Sequence, residues 1–256
     1  MSIQDRILYK SEACLVLNKI KGEAAQGVRI AAQGVKIAAQ VNKADKASKG
    51  AKESIVNLPK ELADVLGVRR DSIQPAHRID VPVSGCCLFA LNKSALTFLF
   101  DVFAGKYDKP VEKTYWAIAE KPKEDVPENG SLTHWIETNE KINKSFVYND
   151  DGPNRKKAVL QYKTVGKGEN YLFLEVKLLS GRHHQIRAQL AAIGLYIKGD
   201  VKYGARRSEK DGGIRLHARS LTFPDPLNPS EQINITADPP QMDNLWQAFM
   251  DVCNQD

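Results

Sequence analysis

Residues Cys86 to Leu91 (CCLFAL) form an unbroken apolar run, bounded upstream by Pro82 and Gly85 and downstream by a polar turn. A run this short cannot cross a bilayer, which takes roughly 18 apolar residues. It reads instead as a strand buried on both faces. A chain built around such a strand needs further elements to cover it, and the pattern supplies them. Ile7 to Tyr9, Cys14 to Asn18, Lys113 to Glu120, Ala158 to Val165, Tyr171 to Leu178 and Leu216 to Phe223 read as strands. Ser94 to Phe103 reads as a helix with Ser94 as its cap. Residues 59–67 carry a short helix with Pro59 in the first turn. His184 to Ile193 reads as a helix ended by Gly194, and 238–256 holds a last acidic helix with Leu245, Phe249 and Val252 inward. Strands in runs with interspersed helices imply an α+β fold around a largely antiparallel sheet.

One segment stands apart. Residues 24–43 repeat with a period of seven (AAQGVRI, AAQGVKI, AAQVNK). Ala24, Val28, Ala31, Val35 and Ala38 would share one helical face, and Arg29, Lys36 and Lys43 another. Gly27 and Gly34 each cost such a helix about 1 kcal/mol relative to Ala. This is a marginal inserted helix followed by a Lys/Ala/Ser linker to about Ser54. Residues 28–54 hold six basic side chains against Asp45 and Glu53, most of the net charge of +6. A basic excess points to a polyanionic partner.

The four cysteines (Cys14, Cys86, Cys87, Cys253) form no C-x-x-C pair, so they read as reduced thiols rather than a disulfide framework or zinc site. His183-His184 are adjacent, not at metal-binding spacing, and no metal is expected. The N-terminus shows no apolar signal core, which makes the cytoplasm the expected compartment.

Three segments hold the candidate chemistry. HRIDVPVSG (77–85) places Asp80 beside Arg78 on a loop ahead of the buried strand. Such a loop suits a catalytic carboxylate, although a turn carboxylate bonded to backbone fits it too. GRHHQIR (181–187) opens a stretch, 181–207, with six basic residues against Asp200 alone, suited to phosphate or carboxylate binding. KTYWA (113–117) puts Lys113, Tyr115 and Ala117 on one face of a strand, where Tyr115 can stack on a base or donate a proton.

In order and wording these segments resemble the RluA-type RNA pseudouridine synthases. HRIDVPVSG, KTYWA, GRHHQIR, YIKGDVKYG (196–204) and LHARSLTF (216–223) match five ordered motifs of that family, and ILYKSEACLVLNKIKG (7–22) looks like its first hairpin. The resemblance covers roughly 7–23 and 58–240. Ile20 stands where Pro is usual, Val83 where Thr is usual, and Tyr196 where Pro is usual.

The resemblance implies a pseudouridine synthase fold with a catalytic cleft, no cofactor, and RNA, ribosomal or transfer, as substrate. It implies one catalytic domain over 1–256, expected to be a monomer, with the insert at about 24–54 and without the S4 RNA-binding domain that many members carry. Asp80 is the implied nucleophile, attacking ribose C1′ or uracil C6 or trapping an intermediate. Arg187 is its counter-ion, and Tyr115 lies against the uracil. Ile186 walls the pocket, and Arg78 fills the gap left by the extruded base. Arg182, His184 and Gln185 are further substrate-binding positions. Lys198, Lys202, Arg206 and Arg207 hold phosphates. The competing reading is an RNA-binding protein on the same scaffold that no longer catalyses.

Overall fold

The computed structural model describes residues 1–25 and 56–254. In chain order the strands and helices are β1 (Ile7–Lys10), β2 (Cys14–Lys19), β3 (Glu23–Ala24), β4 (Val56–Asn57), α1 (Leu58–Leu66), β5 (Gln74–Pro75), β6 (Ser84–Ala90), α2 (Lys93–Phe103) and β7 (Glu112–Glu120). They continue as β8 (Asn129–Asn139), β9 (Lys144–Tyr148), β10 (Lys156–Lys167), β11 (Tyr171–Leu178), α3 (Gln185–Ala192), β12 (Leu216–Pro224), β13 (Gln232–Thr236) and α4 (Asn244–Cys253).

One 11-stranded sheet runs β1-β2-β6-β12-β7-β11-β10-β8-β9, with β13 beside β12 and β5 beside β6. Every pairing in it is antiparallel except β6 with β12, so the α+β, largely antiparallel expectation holds. The apolar run at Cys86 to Ala90 is the heart of it: β6 is flanked by β2 and β12, and both β2 and nearly all of β6 are buried.

Alternation of side chains along the strands gives the sheet two apolar faces. On one, Leu15, Leu17, Cys87, Phe89, Tyr115 and Ala117 pack under Leu58 and Leu62 of α1 and Ile186 and Leu190 of α3. On the other, Val16, Cys86 and Leu88 meet Ala95 and Leu99 of α2. Farther along, Trp116, Ile118 and Phe173 meet Trp246 and Phe249 of α4.

Three expectations need correction. Helix α2 starts one residue earlier, and its cap is Asn92, whose side chain accepts from Ala95 N at 2.9 Å; Ser94 lies inside the first turn. An Asn carbonyl reaches the exposed first-turn N–H groups as well as a serine hydroxyl does. Ala24 is not on a helical face but in β3, which pairs in parallel with β4. In α4 it is Trp246 and Phe249 that are buried, with Leu245 and Val252 packed at the margin. The rest of the repeat falls on residues 26–55, outside the described residues. Cys14, Cys86 and Cys87 are buried and Cys253 is half-buried, and none of the four is in a disulfide. No described helix is long and apolar enough to cross a membrane.

Candidate active site

Asp80 lies between β5 and β6 on a loop held by backbone hydrogen bonds. Ala76 N bonds to Leu88 O at 2.9 Å, and Leu88 N donates to His77 Nε2 at 3.1 Å, so the incoming chain is stitched to β6. The carbonyls of the next turn are then taken one by one. Asp80 O accepts from Val83 N (3.0 Å), Val81 O from Gly22 N (2.9 Å) and Pro82 O from Ile214 N (3.1 Å). Val83 O accepts from the Lys19 ammonium at 2.6 Å, and Val81 O and Ile20 O accept from the same group at 3.1 and 3.0 Å. Lys19 is buried beneath the loop, and burial pushes its pKa down to about 8 despite the nearby Cys87, Glu23 and Asp80.

The glycine of the motif has a steric cause. Gly85 has φ +112°, and a Cβ there would stand 2.3 Å from Ala218 O, the backbone of β12 beside it. Only glycine allows β6 to leave the loop this close to its parallel neighbour. Backbone thus rigidly presents Asp80, whose side chain is about one-quarter exposed (25%).

Helix α3 brings the cation. Arg187 Nη1 donates to Asp80 Oδ2 at 3.0 Å. The pairing expected from sequence is present, but Asp80 has only one of the donors. The fork itself goes to Asp200, with Nε to Oδ2 at 2.6 Å and Nη2 to Oδ1 at 2.8 Å. Burial alone would lower the pKa of Arg187; its hydrogen bonds to Asp200 and the charges of both carboxylates more than offset this and hold it above its usual value. Asp200 is buried and follows a segment that runs beside β7, with Lys198 N on Ile118 O at 2.9 Å. Its one sequence signal was to be the lone acid among six basic residues.

The α3 N-terminus adds a second contact. His184 takes a left-handed conformation (φ 53°), and its Nε2 stands 3.5 Å from Asp80 Oδ2. Its Nδ1 is 2.9 Å from the Tyr203 hydroxyl, which accepts Ser145 N–H at 2.8 Å. Burial pushes the His184 pKa down to about 3, so the ring is neutral. The Tyr203 ring lies 5.0 Å from the Arg187 guanidinium carbon. Lys19, Asp200 and Tyr203 were not among the sequence candidates for the site.

The other candidates divide. Tyr115 is buried on the same face of the sheet, and burial together with the Asp80 charge raises its pKa above the ordinary value. Ile186 packs in the same cluster as Tyr115, Ile79 and Val83. Arg78 is exposed beside Asp80. Lys202 is exposed at the rim, donating to Asn143 O at 3.0 Å, with the charges of Arg187 and Asp80 acting on it. Gln185 is buried in scaffolding: its Oε1 accepts from Ser180 Oγ and Arg182 N, both at 2.9 Å, and its Nε2 donates to Val159 O at 3.0 Å. Arg182 donates to Lys157 O at 3.0 Å and stays exposed. Lys198 is not brought to Asp80; it pairs with Glu209 and lies 5.8 Å from the Tyr171 ring. Arg206 pairs with Glu120 at 3.5 Å, and Arg207 is exposed. Among the described residues no three His, Cys, Asp or Glu side chains converge to hold a metal ion.

A family model described as RNA pseudouridylate synthase matches residues 14–192. An uncharacterized RNA pseudouridine synthase of Bacillus subtilis is 31% identical over 166 residues, 65% of this chain and 52% of that protein, so the match spans about half of that relative. The tRNA pseudouridine synthase C of Haemophilus influenzae is 29% identical over 219 residues, 75% of this chain and 85% of its own length. The ribosomal large subunit pseudouridine synthase C of Vibrio parahaemolyticus is 26% identical over 238 residues, 88% of this chain and 63% of its own. Among solved structures, human RNA pseudouridylate synthase domain containing 4 superposes with a TM-score of 0.67 at 20% identity, covering 98% of this chain and 94% of that one, a likeness of fold.

Proposed function

Since the chain belongs to the RluA-type family of RNA pseudouridine synthases, we propose that it converts uridines of ribosomal or transfer RNA to pseudouridine with Asp80 as the nucleophile. The reaction breaks the N1–C1′ bond, turns the uracil and joins C5 to C1′. The C5 proton leaves and N1 gains one, so nothing is oxidised and no external group is consumed.

The observation that carries the assignment is the way Asp80 is held. Arg187 and His184 both approach Oδ2, at 3.0 and 3.5 Å, on a loop with every carbonyl from 80 to 83 engaged. One carboxylate oxygen is anchored, and the other is outside that grip. The cation pairs with the negative charge that a nucleophilic carboxylate carries. Tyr115 offers the flipped base an aromatic wall with Ile186 behind it. Arg78 takes the space the base vacates in the RNA, at an unstacking cost of a few kcal/mol.

Replacing Asp80 by Asn tests this directly. The substitution keeps size and removes the charge. Tritium release from RNA labelled at uracil C5 should fall roughly 10³-fold or more, while RNA binding persists. Substantial release would refute the nucleophile assignment, and loss of folding would return Asp80 to a turn role.

RNA outside the cleft is held by phosphate contacts from Lys202, Arg182 and Arg207, and from the basic insert. Gly22 N bonds to Val81 O at 2.9 Å, so the chain entering the insert touches the Asp80 loop, and β3 then pairs with β4, where the chain leaves it. Deleting residues 28–54 should weaken RNA binding and flatten the slope of log K against log salt, since fewer counterions are released. An unchanged slope would remove the insert from the interface.

A further inference from the structure

His184 sits where a buried donor can hold the Asp80 carboxylate, and both ends of its ring are specified. At one end Nε2 faces Asp80 Oδ2 at 3.5 Å, and an ionised carboxylate can only accept. At the other end Nδ1 meets the Tyr203 hydroxyl at 2.9 Å. That hydroxyl already accepts Ser145 N–H at 2.8 Å, a bond with only one direction. The carboxylate draws the single proton of the neutral ring to Nε2, and the Tyr203 hydroxyl keeps its own proton to donate to Nδ1. Both contacts then fit one tautomer, with the proton on Nε2 and Nδ1 bare. The ring cannot turn freely, because His183 stacks on it at 3.8 Å between centroids. His183 is in turn held by Ser145 Oγ, which lies 2.9 Å from its Nδ1 and donates to its carbonyl at 2.7 Å.

Resting on the assignment of Asp80 as nucleophile, we propose that His184 is a positioning residue: Tyr203 fixes its tautomer so that Nε2–H, together with Arg187, holds Asp80 Oδ2 and aims the opposite oxygen at the nucleotide. The groups facing His184 are Asp80, Arg187, His183, Tyr203 and Lys202. Three of them, Arg187, His183 and Lys202, disfavour a charged imidazole, and so does burial, which leads. A neutral donor secures the carboxylate without cancelling its charge. The edge strand β9 thereby reaches the reacting group through Ser145, Tyr203 and His184.

The test is the nitrogen spectrum of enzyme labelled with ¹⁵N-histidine, recorded at neutral pH. His184 should show a neutral ring protonated at Nε2. A ring protonated at Nδ1, or a charged ring, would overturn the proposal. In Tyr203→Phe the tautomer should become mixed and kcat should drop roughly tenfold, with KM within about twofold, the scale of one hydrogen bond to a charged group. An unchanged spectrum or unchanged kcat would overturn it as well. Because Tyr203→Phe also leaves Ser145 N–H without its acceptor, His184→Ala and His184→Gln form a second pair. Gln restores an N–H donor and should recover part of the kcat that Ala loses; a Gln variant no better than Ala would defeat the donor role. Turnover in Asp80→Asn would sink the nucleophile assignment alone, since the wild-type tautomer is read without catalysis.

Discussion

Tyr115 and Trp116 are neighbours in the chain and live in different chemistries. Tyr115 faces the side of the sheet covered by α1 and α3, where Asp80, Arg187, Asp200, His184 and Tyr203 form a continuous polar network. Trp116 faces the α4 side, where its ring meets Phe249 edge-on at 4.6 Å and Phe173 meets Phe249 at 5.2 Å. Polar side chains do occur there: His217 is buried, with Nδ1 2.9 Å from Ser84 Oγ and Nε2 2.9 Å from Ala237 O. Its two ring nitrogens close on the Ser84 hydroxyl and on backbone. The comparison teaches a division of labour across one strand. Apolar packing on the back holds the sheet rigid, and the rigid sheet lets the front keep charges at fixed distances, which charged groups alone would not secure.

The two faces should therefore fail differently. The largest effect belongs to the front. Arg187→Ala removes the cation from between two carboxylates and leaves Asp200 buried without its partner, so turnover should collapse and stability should drop by about 3–5 kcal/mol. Arg187→Lys should restore charge without the fork and rescue only partly. Wild-type rates in the alanine variant, measured by tritium release, would dissolve the front-face network as an explanation.

Next comes the back. Phe249→Ala empties the middle of the Trp116, Phe173 and Trp246 cluster and should cost about 3–5 kcal/mol in denaturant unfolding. At a temperature where the variant is still folded, kcat should stay within about twofold of wild type. A large kcat loss in a folded variant would show that the faces are not separable.

A pH series sharpens the contrast. Burial lowers the pKa of His77 and His184 to about 3 and of His217 to about 4, against an ordinary value of 6.5. The unfolded chain then binds more protons than the native one between those values and 6.5. Stability is fully present above pH 6.5 and is lost as pH falls toward about 4 and below. His217→Gln should flatten this acid loss without changing kcat, whereas His184→Gln should flatten it and lower kcat. Equal kcat in the two variants would break the comparison.

The smallest effect is alkaline. Lys19, with its pKa lowered by burial to about 8 from 10.5, gives up its proton at lower pH in the native state than in the unfolded chain. Wild-type stability should gain a positive slope over pH 8 to 10.5 from this group, and Lys19→Met should lack that contribution. Parallel curves for the two proteins would show that Lys19 keeps its ordinary titration.

Much of this was legible in the chain itself. Strands whose burial follows their own alternation or apolar run (β2, β6, β7, β11, β12) could be read directly, because a strand carries its two-residue period in itself. The ordered motifs likewise singled out Asp80, Tyr115 and Arg187. The hidden parts share a cause. In β9 it is Ser145 that is buried and Phe146 that is exposed, the reverse of what hydrophobicity predicts. The inward side of that edge strand meets a tyrosine hydroxyl and a histidine, not an apolar core. β13 pairs with β12 outside the main strand path, and its partly exposed pattern gave no run to read. Arg187 could be matched to a carboxylate from sequence, yet which carboxylate takes the fork could not. Asp200 is 13 positions away and Asp80 is 107, and only the folded chain brings both to one guanidinium. Periodicity is a local property and can be read along the chain; the partner of a buried charge is decided by what the finished fold leaves beside it, since an unpaired buried charge is too costly to keep.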